Sequence, residues 1–283
     1  MRRLLPVLFA LVLSAPAVQA VVLSGGDGGS TNNLIAPTNG APWQYVARLD
    51  VNNASGVYLG NGFILTANHV TFPGSALIND TLYSIDEAYG QRQIGGADIK
   101  LLRILGDPGL AALALIGARD TDTSQASTVV GWGVGRGGAL PDSNGWNWAG
   151  DESRAKRWGL NMTLGNYVLD GTGRRYLATD FGRFEGEDES SMALGDSGGA
   201  VFQKFGNTWK LAGITAGVDT NGRALYDRDP IFPFDQPDRS FYVPIKEHRD
   251  AIIAGIAVPE PTSAILLAVG GAALLGYRRS RSR

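Results

Sequence analysis

The chain of 283 residues has no cysteine and only two histidines, His69 and His248. Without cysteine it must fold without disulfide bonds, which a domain of roughly 230 residues can do because it buries most of its apolar surface. The formal net charge is only −2, which excludes electrostatic capture of nucleic acid. Long amphipathic helical patterns are missing between the termini, except at Ile245–Ile256.

Residues 1–20 have the features of a signal peptide. Two arginines precede the apolar run Leu4–Leu13, and the segment ends in an Ala-Val-Gln-Ala tetrapeptide. A signal peptidase recognises small residues at the second and last of these four positions. Cleavage after Ala20 would release an exported protein that begins at Val21. A buried N-terminal helix is the less favoured alternative, because two prolines interrupt the segment.

The last residues, 258–283, form a second targeting segment. Val258–Pro261 leads into the uncharged run Thr262–Tyr277, and four arginines follow. As a helix, 262–277 would span about 24 Å, a little less than a hydrocarbon core of about 30 Å. The arginines favour membrane insertion with this end on the cytoplasmic side.

This order of Pro-Glu-Pro, apolar run and basic tail resembles the PEP-CTERM sorting signal of Gram-negative bacteria. The resemblance implies that an exosortase-type membrane peptidase removes the tail near the Pro-Glu-Pro. It also implies a secreted or cell-surface protein associated with exopolysaccharide. A permanent single-pass membrane anchor is the alternative.

The body of the chain has the pattern of a β protein. Residues 21–40 are rich in Gly, Ser, Asn and Thr and predict a flexible leader. After them, Gly, Asn, Asp and Pro separate short apolar or alternating runs, which are Gln44–Leu49, Val57–Leu65, Ile99–Ile104, Thr128–Trp132 and Trp209–Thr215. Such spacing predicts an all-β sandwich or barrel. The polar break Thr121–Gln125 predicts two halves, about 41–120 and 125–246, within a domain of 41–257.

Three short segments carry residues that can act together. His69 follows the apolar run Phe63–Ala67, Asp98 opens a second run, and Ser197 lies within the Gly-rich segment Gly195–Gly199. Each has an ordinary explanation when taken alone, as a turn residue or a tight loop. Taken together, they supply a nucleophile, a base and a group that orients the base.

The chemistry of acyl transfer selects these residues. A serine hydroxyl is a poor nucleophile until a neutral histidine removes its proton. His248 lies in a polar run, so His69 is the candidate base and Asp98 the residue that holds its tautomer. The glycines beside Ser197 allow a tight turn, in which the N–H groups of Gly195 and Ser197 would form an oxyanion hole.

These motifs resemble those of the trypsin/chymotrypsin family over most of Ala41–Ile256. Thr66-Ala67-Asn68-His69 is similar to the family's Thr-Ala-Ala-His, Asp98–Leu102 is similar to its Asp-Ile-Ala-Leu-Leu, and Gly195–Gly199 matches its nucleophile loop. Further similarities lie at Ala41–Gln44, Gly131–Gly133 and Gly213–Gly217.

The resemblance implies both a fold and an activity. The fold is all-β, with two six-stranded antiparallel β-barrels, the active site in the cleft between them and a short C-terminal helix. The activity is that of a serine endopeptidase, which cleaves a protein or peptide substrate through an acyl-enzyme and needs no cofactor or metal. A catalytically silent surface-binding module of the same fold is the alternative, and a structural matrix component is a third hypothesis.

The resemblance also implies substrate-binding residues. Thr215 and Gly217 would pair with the substrate backbone, and Ser191 would form the floor of the primary pocket. A neutral floor would favour apolar side chains at the cleavage position. The acidic run just upstream leaves a second possibility open, in which Glu189 occupies the pocket and reverses that preference.

The family's activation places a newly cut Ile or Val amine against the Asp before the nucleophile, here Asp196. Signal cleavage would expose Val21, although the reach from Val21 to Pro42 is longer than usual. The alternative is that Asp196 bonds to loop amides in an enzyme that needs no activating cut.

Overall fold

The computed structural model describes residues 21–25, 33–51, 54–141, 144–182, 186–219, 222–226 and 239–257. The strands in the first half of the chain are β1 (Val22–Leu23), β2 (Val46–Leu49), β3 (Ser55–Gly60), β4 (Phe63–Ala67), β5 (Ser75–Ile78), β6 (Thr81–Ser84), β7 (Gln91–Gln93) and β8 (Ile99–Arg103). Those in the second half, with the helix that follows them, are β9 (Ala126–Gly131), β10 (Arg136–Ala139), β11 (Gly145–Trp148), β12 (Arg157–Met162), β13 (Val168–Leu169), β14 (Arg175–Thr179), β15 (Ser190–Ser191), β16 (Ala200–Phe205), β17 (Thr208–Val218), β18 (Arg223–Leu225), β19 (Ser240–Pro244) and α1 (Ile245–Ile256).

Two antiparallel sheets form the body of the protein. The strand order is β6-β5-β2-β3-β4-β8-β7 in the first sheet and β12-β9-β16-β17-β19-β14-β13 in the second. The mostly β fold and the C-terminal helix at Ile245–Ile256 confirm two expectations from the sequence. Each sheet has seven described strands, so the finer expectation of two six-stranded barrels stays a prediction.

The hairpin of β3 and β4 sets the position of the first candidate site residue. Gly60, Asn61 and Gly62 all have positive φ, at 105°, 53° and 81°, a conformation that glycine and asparagine adopt most readily. This turn lets β4 fold back on β3, and β4 then pairs with β8 so that Ala67 lies opposite Ile99.

The two sheets share one hydrophobic core. A single cluster of buried side chains joins Leu65 and Leu101 of the first sheet to Val130, Phe202 and Ile214 of the second. Burial of such side chains is the main favourable term in folding. The sheets are therefore packed together, and loops at their common boundary have rigid support on both sides.

β1 lies inside the segment that the composition predicted to be a flexible leader. It pairs with β15 in the register Val22 to Ser191 and Leu23 to Ser190. Val21 and Val22 have no exposed surface, and Leu23 is only 1% exposed. Local composition predicted a flexible leader because only a few apolar residues, among them Val21–Leu23, stand in a segment rich in Gly, Ser, Asn and Thr. In the structure, pairing with β15 buries them.

A third, smaller sheet covers this N-terminal strand. Its order is β10-β11-β18. The guanidinium of Arg136 stacks on Trp146 at 3.8 Å and donates to Leu23 O and Ser24 O, each at 3.4 Å. The hydroxyl of Tyr226 donates to Ser24 O at 3.1 Å and accepts from the indole of Trp146 at 3.0 Å. β1 is thus held from two sides.

The two predicted targeting segments, 1–20 and 258–283 with its apolar run 262–277, lie outside the described residues. Within the part of the chain that is described, no helix combines the length and apolar character that crossing a membrane requires.

Truncation of the shared core predicts a large loss of stability. Phe202 has no exposed surface, so Phe202→Ala should lower the free energy of unfolding by about 3–5 kcal/mol, through lost burial and a cavity. Leu82 is 65% exposed, and Leu82→Ala should change it by no more than about 0.5 kcal/mol. Urea titrations of both variants measure the difference, and similar effects at the two positions would contradict a common core around Phe202.

Candidate active site

The pairing of β4 with β8 brings His69 and Asp98 together. Ala67 lies opposite Ile99, so the residues just beyond β4 face the residue just before β8. Backbone bonds continue this register, because the N–H of Asn68 donates to Asp98 O at 3.1 Å. The N–H of His69 also donates to Asp98 Oδ1 at 2.9 Å.

The side chains of His69 and Asp98 form a short hydrogen bond. Nδ1 of His69 lies 2.7 Å from Asp98 Oδ2. When Asp98 is ionised and the imidazole is neutral, the proton of this bond resides on Nδ1, which leaves a lone pair on Nε2. The side chain of Asp98 is 19% exposed and that of His69 is 47% exposed, so the imidazole is accessible at the surface.

The loop that carries Ser197 is held between the two sheets. From the first sheet, the N–H of Ser55 donates to Ser197 O at 2.9 Å. From the second sheet, Thr215 O accepts from the N–H of Gly198 at 2.8 Å. Gly198 has φ +86°, and a Cβ there would lie 2.2 Å from both Ser55 O and Thr66 Oγ1, so only glycine fits.

The loop of Ser197 therefore lies beside the strand that leads to His69, since Thr66 belongs to β4. No hydrogen bond between His69 and Ser197 is present among the described residues. In an enzyme without substrate such a bond is often long and tightens only in the reacting complex.

The N–H groups predicted to form an oxyanion hole belong to this loop. Gly195 has φ +97° and Ser197 is half-buried. Within the described residues, neither N–H donates to a protein acceptor. Both donors are therefore available to a ligand oxygen.

Thr215 and Gly217 lie near the end of β17, where Thr215 still bonds to Gly198 and Gly199 but Gly217 faces no paired strand on that edge among the described residues. β16 pairs with β17 only as far as Ile214, whereas β19 continues to Val218. The backbone beyond Thr215 thus offers unpaired groups to an added strand. Beside it lies a cavity of about 410 Å³, whose lining includes Asp98, Leu169, Tyr176, Ala216, Val218 and Phe241.

The two candidates for the primary pocket are both buried. Ser191 is 1% exposed and pairs with β1. Glu189 is 6% exposed and lines a different cavity, together with Leu160 and Trp209. Met192, the residue after Ser191, packs in an apolar cluster with Tyr242.

Asp196 is a buried carboxylate at the centre of three chain segments. Its oxygens accept from the N–H groups of Gly133 and Ala193, each at 2.8 Å, and from that of Val21. The loop amides of the second alternative are therefore present, and the backbone N–H of Val21 reaches the same carboxylate. Burial raises its pKa to about 6.

The Asp196 carboxylate leaves no room for a side chain at either glycine of the Gly131-Trp132-Gly133 segment. A Cβ on Gly131 would lie 2.1 Å from Asp196 Oδ1, and one on Gly133 would lie 2.7 Å from Asp196 Cγ. The backbone can approach Asp196 closely only because these side chains are missing.

Ser55 is a site residue that the sequence did not single out. Its Oγ donates to Gly195 O at 3.0 Å and accepts from the N–H of Trp132 at 2.9 Å, and the side chain has no exposed surface. At the start of an apolar strand nothing in the local pattern distinguishes Ser55.

Across the described residues, no group of three or more His, Asp or Glu side chains could hold a metal ion.

The buried Asp196 predicts how stability depends on pH in a chain whose Val21 nitrogen is still an amide. Its pKa of about 6 exceeds the ordinary 3.8, so protonated Asp196 stabilises the fold. That contribution is complete below about pH 4 and is lost as pH rises through about 6, roughly 3 kcal/mol in all.

Asp196→Asn removes this titration. Urea titrations should show that the difference in free energy of unfolding, variant minus unsubstituted chain, increases by roughly 3 kcal/mol from about pH 4 to pH 7. The increase arises because only the unsubstituted chain loses the contribution of protonated Asp196. A constant difference at both pH values would contradict the buried titration of Asp196.

Neither a scan against protein-family models nor a search of curated proteins finds a match to this chain.

Proposed function

We propose that the protein is a serine endopeptidase with His69, Asp98 and Ser197 as its catalytic residues. The observation that carries the proposal is the 2.7 Å bond between His69 Nδ1 and Asp98 Oδ2. The Ser197 loop rests against the adjoining strand and offers two N–H groups that have no acceptor in the described protein. This combination supplies the base, its orienting group, the nucleophile and the oxyanion donors that acyl transfer requires.

The reaction would follow from these positions. Ser197 Oγ attacks the substrate carbonyl carbon while Nε2 of His69 accepts the hydroxyl proton, and Asp98 stabilises the imidazolium that forms. The N–H groups of Gly195 and Ser197 bind the oxyanion. The leaving amine takes the proton from His69, and water then hydrolyses the acyl-enzyme with His69 again as base.

We also propose the finer architecture that the family resemblance implies, two six-stranded barrels with the active site between them. Its support is the Ser197 loop, which bonds to Ser55 in the first sheet and to Thr215 in the second. A site at such a boundary gains precision, because strands on both sides hold it.

A peptide substrate would add to the edge of β17 at Gly217, next to Thr215, whose own N–H and C=O bond to Gly199 and Gly198. Backbone bonds there give affinity without regard to sequence, while pockets select side chains. The neighbouring cavity has both apolar residues, Leu169 and Phe241, and charged residues, Asp170 and Arg239, in its lining, so it would take a substrate side chain with an apolar body and a polar end.

One observation favours a second candidate, a binding module of the same fold without activity. No bond joins His69 to Ser197 in the described structure, so the nucleophile is not activated there. A covalent probe separates the two functions.

The geometry at Val21 further supports activation by the predicted signal cleavage. Its backbone N–H already bonds to Asp196, and cleavage after Ala20 would convert this nitrogen to an ammonium beside the buried carboxylate. Val21 also has φ +48°, which is strained for a β-branched residue, and a cut removes the preceding carbonyl that creates the strain.

We propose export across the inner membrane of a Gram-negative bacterium and processing at the sorting segment 258–283. The support is the sequence pattern at both ends, which lies outside the described residues. The product would be a secreted or cell-surface enzyme.

A fluorophosphonate probe tests the catalytic assignment. It should label the purified protein, and Ser197→Ala should abolish labelling because the attacking oxygen is gone. Asp98→Asn should slow labelling by roughly 10³–10⁴-fold, because the imidazole loses its tautomer. His248→Gln is the matched control and should label at the original rate, and a folded protein that resists the probe would favour the binding module.

A defined N-terminus tests the activation step. A form that begins at Val21 should react with the probe at least about 10-fold faster than one that retains Ala20, because only the free amine forms a charge-assisted bond with Asp196. Val21→Ile at the N-terminus keeps the amine and should retain activity. Equal rates for the Val21 and Ala20 forms, measured by mass spectrometry of labelled protein, would refute this step.

A further inference from the structure

The peptide that joins Leu194 to Gly195 is anchored at its carbonyl oxygen. Leu194 O accepts from the N–H of Val134 at 2.7 Å and from Nη1 of Arg154 at 3.1 Å. This peptide is trans, so its N–H points away from its C=O. Two donors on one side of the peptide therefore direct the N–H of Gly195 to the opposite side.

That direction matters because the N–H of Gly195 is one of the two proposed oxyanion donors. If the peptide turned over, its carbonyl oxygen would face the substrate oxyanion and repel it. The two bonds to Leu194 O oppose this rotation, and one of them comes from a side chain, that of Arg154.

Asp151 orients the side chain of Arg154, which bonds to Leu194 O. Its Nε and Nη2 bond to the same oxygen of Asp151, at 2.9 Å and 2.7 Å. The side chain of Arg154 is only 10% exposed although Asp151 is 78% exposed, so the guanidinium is largely shielded from water. A charged donor in such a position makes a stronger hydrogen bond than a neutral one.

Gly195 is shaped to this arginine. A Cβ at this position would lie 1.9 Å from Nη1 of Arg154, so a side chain there would displace the guanidinium from its place beside Leu194. The next peptide is fixed from the first sheet, because Ser55 Oγ donates to Gly195 O at 3.0 Å. Gly195 is therefore constrained on both sides.

We propose that Arg154, oriented by Asp151, is a positioning residue that keeps the N–H of Gly195 directed at the oxyanion. The proposal rests on the proposed serine endopeptidase function. Arg154 bonds to Asp151 and Leu194, so it acts through the peptide and not on the reacting atoms.

The test compares Arg154→Ala with Arg249→Ala, since Arg249 also bonds to a neighbouring aspartate, Asp250. In Arg154→Ala, kcat for a peptide substrate should fall about 10- to 100-fold, less than the full loss of an oxyanion donor because Val134 still anchors the peptide. KM should stay within about 2-fold, because the anchor acts in the transition state. Arg249→Ala should match the unsubstituted enzyme.

A peptide aldehyde, whose adduct with Ser197 places an oxyanion in the hole, supplies a readout that a merely structural role would not move. Its Ki should rise by the factor that kcat falls, while the affinity for a cleaved product peptide stays constant. Arg154→Lys, which keeps a cation, should recover part of the rate. Asp151→Asn should lower kcat less than Arg154→Ala does. If Arg154→Ala does not fold, Asp151→Asn supplies the comparison in its place.

Unchanged kcat and Ki in folded Arg154 variants would overturn the positioning role of Arg154 and leave the proposed function standing. So would a loss of active sites, titrated with the fluorophosphonate, at constant kcat per site. A purified protein that shows no Ser197-dependent labelling would instead overturn the proposed function and this role with it.

Discussion

A carboxylate without exposed surface, that of Asp196, organises the region around the candidate nucleophile. Burying an ionised group costs free energy unless donors surround it, and here they come from Val21, Gly133 and Ala193. These residues lie just before β1, in the loop after β9 and in the Ser197 loop. The conformation of the Ser197 loop therefore depends on bringing two distant segments of chain to one side chain.

The remaining chemistry is arranged by rigid strands. The β4–β8 register holds His69 against Asp98, and hydrogen bonds from both sheets hold the loop of Ser197. Arg154 and Ser55 then restrain the peptides on either side of Gly195. Loops on a rigid scaffold can keep N–H groups unpaired and oriented, which electrostatic stabilisation of an oxyanion requires.

Much of the fold was predictable from local pattern, since alternating runs indicate strands and the periodicity of Ile245–Ile256 indicates a helix. That His69 and Asp98 lie close together was also predictable, because each stands next to an end of an apolar strand. Ser55 and Arg154 were not, since a serine in a strand and an arginine near an aspartate occur in many settings. The strand at Val22–Leu23 was missed because its partner, Ser190–Ser191, lies far along the chain.

The sequence by itself determined the types of element, the candidate residues and the chemistry of which a Ser, His and Asp set is capable. These follow from local periodicity and from the properties of single side chains. Only the tertiary structure decided that Val21 reaches Asp196, that Ser55 holds Gly195 and that Arg154 holds Leu194. Such contacts join residues distant in the chain, and their geometry exists only after the sheets pack and bury the polar groups between them.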